Sequence, residues 1–232
     1  MHYNCLIVDD ETDLAKMTAE YFNMFEVLTA YVTGANECYE FLKENTIDLI
    51  LLDINLGDGL GFDVCKRLRE ETQIPILFIS ARQSDDDVLV ALSVGGDDYV
   101  KKPYSLSVLL AKVKVNLKRI EQLKQASGMD NNSSNEVENE QKEDSLLKLD
   151  ATTLSVMVGD KKVSLKANEF ALLDCLYRHK NTIVKKEVLF DEVWGDTFFS
   201  DSTLNVHIRK LREKIEDNPN DPKIIKTEWG TG

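Results

Sequence analysis

Ile47-Asp48-Leu49-Ile50-Leu51-Leu52-Asp53-Ile54-Asn55-Leu56-Gly57-Asp58-Gly59 is an apolar run closed by a carboxylate and then by turn residues. A continuous Ile and Leu run followed by Asp-Gly signals reads as a strand buried on both faces, the condition of a parallel sheet. Asp53 then stands at the carboxyl end of that strand, where open α/β sheets hold their ligands. An Asp in such a place is equally a turn former or a helix cap, and repetition elsewhere decides between the readings. Leu6-Ile7-Val8 runs into Asp9-Asp10, Ile76-Leu77-Phe78-Ile79 into Ser80, and Tyr99-Val100 into Lys101-Lys102-Pro103. Four apolar strands thus bring three carboxylates, a hydroxyl and an ammonium to one rim.

Around this stretch, strand and helix patterns alternate. Strands are expected at Tyr3 to Val8, Phe25 to Ala30, Ile76 to Ser80 and around Tyr99. Helical spacing covers Glu11 to Asn23, Gly34 to Glu44, Phe62 to Glu70, Ser84 to Val94 and Ser105 to Gln122. Strands separated by helices of this length imply right-handed crossovers, so residues 1 to 122 are expected to form a doubly wound, flavodoxin-like, five-stranded parallel sheet.

A chain of 232 residues is long for one domain. Residues 123 to 144, centred on Asp-Asn-Asn-Ser-Ser-Asn-Glu-Val-Glu-Asn-Glu, offer almost nothing to bury and read as a flexible acidic linker. Residues 145 to 232 form the second expected domain, a smaller α+β unit. It opens with alternation at Leu147, Leu149, Leu154, Val156 and Val158, a Gly159-Asp160 turn, and Val163 and Leu165. Two helical patterns follow at Phe170 to Leu176 and Val188 to Trp194. A third, Ser202 to Glu216, carries Leu204, Ile208, Leu211 and Ile215 on one face, with Asn205, Val206, Arg209, Lys210 and Glu213 opposite. Ile224 to Thr227 and Trp229 to Gly232 read as the start of a closing hairpin.

The net charge of -13 is uneven: residues 1 to 122 hold 21 acidic and 12 basic side chains, and residues 145 to 232 hold 14 of each. Such acidity opposes nonspecific nucleic-acid affinity of the whole chain but not a local basic face. No segment has the length of apolar residues that spans a membrane, and no signal peptide is recognisable, so a soluble cytoplasmic protein without a membrane partner is expected. Cys5, Cys38, Cys65 and Cys175 fall singly, without CxxC spacing or a clustered His, and read as buried small hydrophobes in a reducing compartment.

Asp9, Asp10 and Asp53 on one rim repel one another unless a cation neutralises them. Carboxylates with a backbone carbonyl and waters suit Mg²⁺. Lys102 adds an ammonium and Ser80 a hydroxyl, which together suit phosphoryl transfer to an attacking Asp carboxylate. In the third C-terminal helix, basic residues opposite an apolar stripe suit a helix laid in a DNA major groove, with Arg209 or Lys210 on guanine edges or phosphates and Asn205 on adenine.

These residues resemble the OmpR/PhoB-type response regulators of two-component systems. The motifs are Val8-Asp9-Asp10-Glu11, Leu52-Asp53, Ile79-Ser80-Ala81, Gly95-Gly96-Asp97-Asp98-Tyr99 with Lys102-Pro103, Val193-Trp194-Gly195, and Val206-His207-Ile208-Arg209-Lys210-Leu211-Arg212. The resemblance covers all but the linker and implies a receiver domain followed by a winged-helix DNA-binding domain. It implies that Asp53 takes a phosphoryl group from a sensor histidine kinase, with Lys102 and Ser80 assisting. Asp9, Asp10 and Asp53, with the Asn55 carbonyl, would hold Mg²⁺, and Ser80 and Tyr99 would be the switch pair. Such a receiver assists only its own phosphorylation and dephosphorylation. Activated receivers of the family pair as homodimers through the fourth helix, fifth strand and fifth helix; the matching positions here are Val88, Leu92, Asp98, Val108, Lys112 and Arg119. The paired winged helices then bind direct repeats in promoter DNA and act with RNA polymerase. Ser202, Thr203, Asn205, Val206, His207, Arg209, Lys210 and Arg212 of the recognition helix and Trp229 of the wing are the implied DNA contacts.

The chain departs from the family pattern in four places. Val88 and Val108 replace a basic and an acidic residue, which means either that apolar contact stands in for an ion pair or that the protein pairs differently, with Asp98 and Lys112 or Arg119 available for a charged contact. Ser202 replaces a frequent Arg, which removes a phosphate contact. Glu228-Trp229 occupies the wing position where some members place an Arg, and the sequence ends at Gly232 where the pattern continues with an aromatic residue and a closing strand. A phosphatase working through an aspartyl-phosphate would use the same chemistry, but the second position after its nucleophile would be an acid/base Asp, and Asn55 stands there. A regulator that binds DNA without phosphorylation, and a winged helix that binds protein, are the other readings. The full set Asp9, Asp10, Asp53, Ser80 and Lys102 opposes the first of these, and DNA affinity of the C-terminal domain would oppose the second.

Overall fold

The computed structural model describes residues 1–82, 84–128, 147–194 and 201–228, with the backbone alone at 85, 123–128, 201 and 202. Most of the expected linker and the expected turn at Trp229 to Gly232 lie outside the described residues. The chain forms two compact units, the first built on Met1–Leu117 and the second starting at Lys118.

The first unit alternates β1 (His2–Val8), α1 (Thr12–Met24), β2 (Thr29–Val32), α2 (Ala35–Glu44) and β3 (Thr46–Asp53). After β3 comes a small hairpin of β4 (Asn55–Leu56) and β5 (Gly59–Leu60). Then follow α3 (Gly61–Glu71), β6 (Ile76–Ser80), α4 (Asp85–Ser93), β7 (Asp98–Lys101) and α5 (Leu106–Gly128), whose residues from Lys118 onward belong to the second unit. The main sheet has the order β2-β1-β3-β6-β7 with every pair parallel. Successive β3 side chains enter opposite layers: Ile50 and Leu52 join one core cluster, Leu49 and Leu51 the other. Burial on both faces is why the run contains no alternating polar residue, and each such side chain contributes about 1.5–3 kcal/mol.

Register then sets the rim. Val8 pairs with Leu52, Asp53 with Ile79, and Ser80 with Lys101, so the residues that end the four strands stand side by side along one sheet edge. The outer end of β6 is pinned by Arg69. Its guanidinium donates to the carbonyls of Gly95 and Ile74 and meets Asp97 Oδ2 at 2.7 Å, while Asp97 also accepts from the amide of Ile76.

Two boundaries differ from the sequence pattern. The second strand begins at Thr29, not Phe25: Phe25 closes α1, Glu26 takes φ 62°, and the Asn23 side chain clasps both backbone groups of Thr29. Helix α5 runs on to Gly128, past Gln122 and into the stretch expected as linker.

The second unit opens with β8 (Leu147–Asp150), β9 (Ser155–Val158) and β10 (Lys161–Ser164), antiparallel in the order β10-β9-β8. Leu154, expected in a strand, lies in the preceding turn at φ 47°, where the Asp150 carboxylate accepts from the amides of Thr152 and Thr153. Helices α6 (Ala167–Arg178) and α7 (Lys186–Leu189), a π-helical turn (Phe190–Trp194) and α8 (Asp201–Ile215) complete a winged-helix domain. Ile224 to Thr227, expected as a hairpin strand, is not one. The Glu216 carboxylate accepts from the amides of Lys223, Ile224 and Ile225, and Arg212 donates to the Ile225 carbonyl. These side chains satisfy the backbone that a neighbouring strand would otherwise pair.

Candidate functional site

At the rim, Asp9 follows β1, Asp53 ends β3, Ser80 ends β6 and Lys102 follows β7. All four are buried, and Asp10 beside them is exposed. Lys102 Nζ reaches Asp53 Oδ2 at 2.6 Å, Glu11 Oε1 at 2.7 Å and Asp9 Oδ2 at 2.8 Å. Burial alone would lower the Lys102 pKa, but the hydrogen bonds with Asp53, Asp9 and Glu11 outweigh it and hold the ammonium above its ordinary value. Burial raises the Asp9 carboxyl above the usual carboxylate value, against the pull of Lys102. The second oxygens of Asp9 and Asp53 cap their own turns: Asp9 Oδ1 accepts from the amide of Glu11 at 3.0 Å and Asp53 Oδ1 from that of Asn55 at 3.1 Å.

One ammonium does not neutralise Asp9, Asp10, Glu11 and Asp53. Asp9 Oδ2 is buried and faces Lys102 Nζ at 2.8 Å, an ammonium it shares with Asp53 and Glu11. Ligand oxygens of Asp9, Asp10 and Asp53 lie within 4.8 Å of one another. Clustered hard oxygen donors with unspent charge fit a small divalent cation such as Mg²⁺.

The residues expected as the switch pair, Ser80 and Tyr99, are adjacent. Tyr99 is buried, its hydroxyl donates to the Arg82 carbonyl at 2.8 Å, and the Ser80 side chain is a further hydrogen-bonding neighbour. The backbone amide of Arg82 donates to Ser80 Oγ at 3.2 Å, and its guanidinium reaches Asn55 Oδ1 at 3.1 Å. The loop after β6 therefore joins the Ser80-Tyr99 pair to the Asn55 side of the site. Gly61 makes the site compact: its amide donates to the Ile54 carbonyl at 2.8 Å, and a Cβ there would stand 2.0 Å from the Asp53 carbonyl oxygen. Glu11, Arg82 and Gly61 carried no role in the sequence reading. Their signals were Glu11 directly after the Asp pair, Arg82 two residues past Ser80, and a glycine opening a helix after the Asp53 turn.

The residues expected at the pairing surface differ in their exposure. Val88 and Leu92 are buried at 1% and 0% exposure, so they pack inward from α4, and Leu89 and Val90 face outward instead at 43% each. Val108 on α5 is 46% exposed, as a surface residue should be. Asp98 and Lys112 form a pair within the chain at 3.7 Å, both largely buried. Arg119, also expected at that surface, donates to the Asn168 side chain and the Val193 carbonyl.

On α8, Asn205 and Arg209 are exposed and Lys210 is half-buried. Arg209 Nε pairs with Glu213 at 3.0 Å. Thr203, Val206 and His207 are buried, as are Leu204, Leu211 and Ile215. Arg212 is turned to the Ile225 carbonyl and to Thr227 Oγ1 at 2.9 Å. The Ser202 side chain and Trp229 lie outside the described residues.

Comparison with known proteins matches residues 5–114 to the response regulator receiver domain family and residues 160–232 to the family of transcriptional regulatory protein C-terminal domains. The regulatory protein VanR of Enterococcus faecium is 36% identical, over 98% of this chain and 96% of its own length. The transcriptional regulatory protein YvrH of Bacillus subtilis is likewise 36% identical, over 98% and 92%. The crystal structure of DrrB, a Thermotoga maritima OmpR/PhoB homolog, aligns over 100% of this chain and 98% of its own with a TM-score of 0.51 and 28% identity. With a receiver sheet ending in an acidic rim and a winged helix after it, this chain belongs to the OmpR/PhoB-type response regulators.

Proposed function

We propose that Asp53 accepts a phosphoryl group from a sensor histidine kinase, and that the modified receiver pairs with a second copy and tightens binding to direct repeats in promoter DNA. The observation that carries this is the buried Asp53 carboxylate 2.6 Å from Lys102 Nζ, beside Asp9 and Asp10. An Asp53 oxygen attacks the phosphorus, the bond to the donor imidazole nitrogen breaks, and the imidazole leaves with the electron pair. Lys102 offsets the charge on one phosphoryl oxygen, and the Ser80 hydroxyl donates to another. Mg²⁺, held by Asp9, Asp10 and Asp53 with the Asn55 carbonyl, would supply further charge neutralisation.

Phosphorylation adds about -1.5 to -2 charges. When Ser80 turns to the phosphoryl group, the contact between its side chain and Tyr99 changes, and with it the loop that Arg82 anchors. This loop leads into α4, so a charge at Asp53 biases the face carrying Leu89, Val90 and Val108. In this reading the chain is a cytoplasmic regulator that assists only its own phosphorylation and dephosphorylation and works with RNA polymerase. Among the described residues, no helix is long and apolar enough to cross a membrane.

The test is the mass in solution by light scattering, with and without Mg²⁺ and beryllofluoride, for the wild type and Asp53→Ala. A monomer-to-dimer shift that needs Mg²⁺, beryllofluoride and Asp53 is expected. An unchanged mass overturns the pairing mechanism.

A further inference from the structure

Away from the acidic rim, one cluster in the second unit brings together three chemically different donors. Cys175 and His179 are four residues apart and so share a face of α6 and the turn that ends it. Glu192 approaches them from the π-helical turn. A ligand atom from each lies within 4.8 Å of the other two. Among the described residues, only this group and the Asp9 cluster gather three such atoms.

The surroundings hold these donors in place. His179 Nδ1 is 2.9 Å from the Cys175 carbonyl oxygen. A carbonyl only accepts, so Nδ1 carries the proton and the ring lone pair is on Nε2. Metal-binding histidines have this arrangement, in which the second nitrogen donates to a backbone carbonyl. Cys175 Sγ is 3.4 Å from Glu192 Oε2. Arg178 steadies that carboxylate at 2.8 Å, and is itself held by Asp174 at 3.0 Å. Glu192 owes its position to the π turn, whose wider winding is a recurrent feature of functional sites.

We propose that Cys175, His179 and Glu192 bind a borderline-soft divalent cation of the Zn²⁺ class. A thiolate, an imidazole and a carboxylate are a Zn²⁺ donor set, and they disfavour Mg²⁺, which takes oxygen ligands. The fourth position is left to water. On binding, the Cys175 thiol proton leaves to solvent and a metal-sulfur bond replaces the Cys175-Glu192 hydrogen bond. The metal would cross-link α6 to the turn that precedes α8. This inference does not depend on phosphorylation of Asp53.

The test uses the full chain, stripped of metal and titrated with Co²⁺ in excess Mg²⁺, which occupies the acidic rim. One Co²⁺ per chain is expected, with a thiolate-to-cobalt charge-transfer band that equimolar Zn²⁺ abolishes. Cys175→Ser should eliminate the band. His179→Gln, a change at a half-buried site, should retain the wild-type circular dichroism and weaken Co²⁺ binding more than about tenfold, the lower end of what loss of a supporting contact costs. Absence of the band in the wild type, its persistence in Cys175→Ser, or unchanged affinity in a folded His179→Gln overturns the proposal.

Discussion

Lys102 Nζ lies 2.6 Å from Asp53 Oδ2 across 49 residues of sequence, and the ammonium also serves Asp9 and Glu11. It is the internal counter-ion of the acidic rim. Removing one partner of a buried charge pair costs about 3–5 kcal/mol, because the remaining charge is left uncompensated. Lys102→Met should therefore lose about that much stability in urea without divalent cations, and added Mg²⁺ should restore part of it. A variant as stable as the wild type without Mg²⁺ would show that solvent already neutralises the carboxylates.

Asp9 gives the same site a pH signature. Its folded pKa is raised above the ordinary 3.8, chiefly by burial. A raised carboxyl pKa contributes stability that is fully present below the unfolded value and is lost as pH rises through the folded one. Without Mg²⁺, Asp9→Asn should be more stable than the wild type at neutral pH, and the gain should shrink as pH falls through the raised folded value and be gone by 3.8. Chemical denaturation at both ends of that range reads the difference. A gain that grows on acidification would reverse the sign and refute the assignment.

Gly61 tests how tightly the Asp53 turn is built. A methyl group there would meet the Asp53 carbonyl oxygen at 2.0 Å, and the obstacle is backbone, which cannot rotate away. Gly61→Ala should cost about 1–3 kcal/mol, the usual range for overpacking. It should also slow labelling of Asp53 by a small phosphodonor, since the carboxylate moves with its backbone. Wild-type stability together with wild-type labelling would mean that the turn relaxes freely.

The rim was legible in the sequence because β3 is buried on both faces: an unbroken Ile and Leu run has one comfortable environment, and its last residue has one place to go. Glu11 and Arg82 were not legible, because their contacts cross between loops whose spacing carries no periodicity. Val88 and His207 were placed on a surface by the family resemblance and are buried in the structure, because a motif match gives a position along a helix and not the direction of its side chain. The wing base was misread as a strand because the side chains of Arg212 and Glu216, distant in sequence, satisfy that backbone.

Val88 and Val108 looked equivalent as sequence, and the structure separates them at 1% and 46% exposure. Val88→Ala should act through the fold, losing about 1–2 kcal/mol as two buried methyl groups are deleted. Val108→Glu should leave monomer stability within about 0.5 kcal/mol, as surface substitutions do. It should instead abolish the dimer formed with beryllofluoride. Light scattering on Val108→Glu decides the matter, and an intact dimer would place the pairing face elsewhere.

Arg209 and Arg212 are three residues apart on α8 but have opposite commitments. Arg209 is exposed and pairs with Glu213 at 3.0 Å on the surface, an interaction worth little in water and easily exchanged for a phosphate or a base edge. Arg212 is bound to the Ile225 carbonyl and the Thr227 hydroxyl, so it shapes the segment after the helix. Arg209→Ala should weaken promoter binding and, if Arg209 holds a phosphate, lower the salt slope by about one, with stability unchanged. If Arg209 reads a guanine instead, the loss should be about 1–3 kcal/mol and concentrated at one base pair. Arg212→Ala should lower thermal stability first and affect DNA binding through that loss. Binding isotherms at several salt concentrations, paired with melting curves for both variants, separate a contact from a support. The assignment fails if Arg209→Ala melts early or Arg212→Ala binds weakly while melting like the wild type.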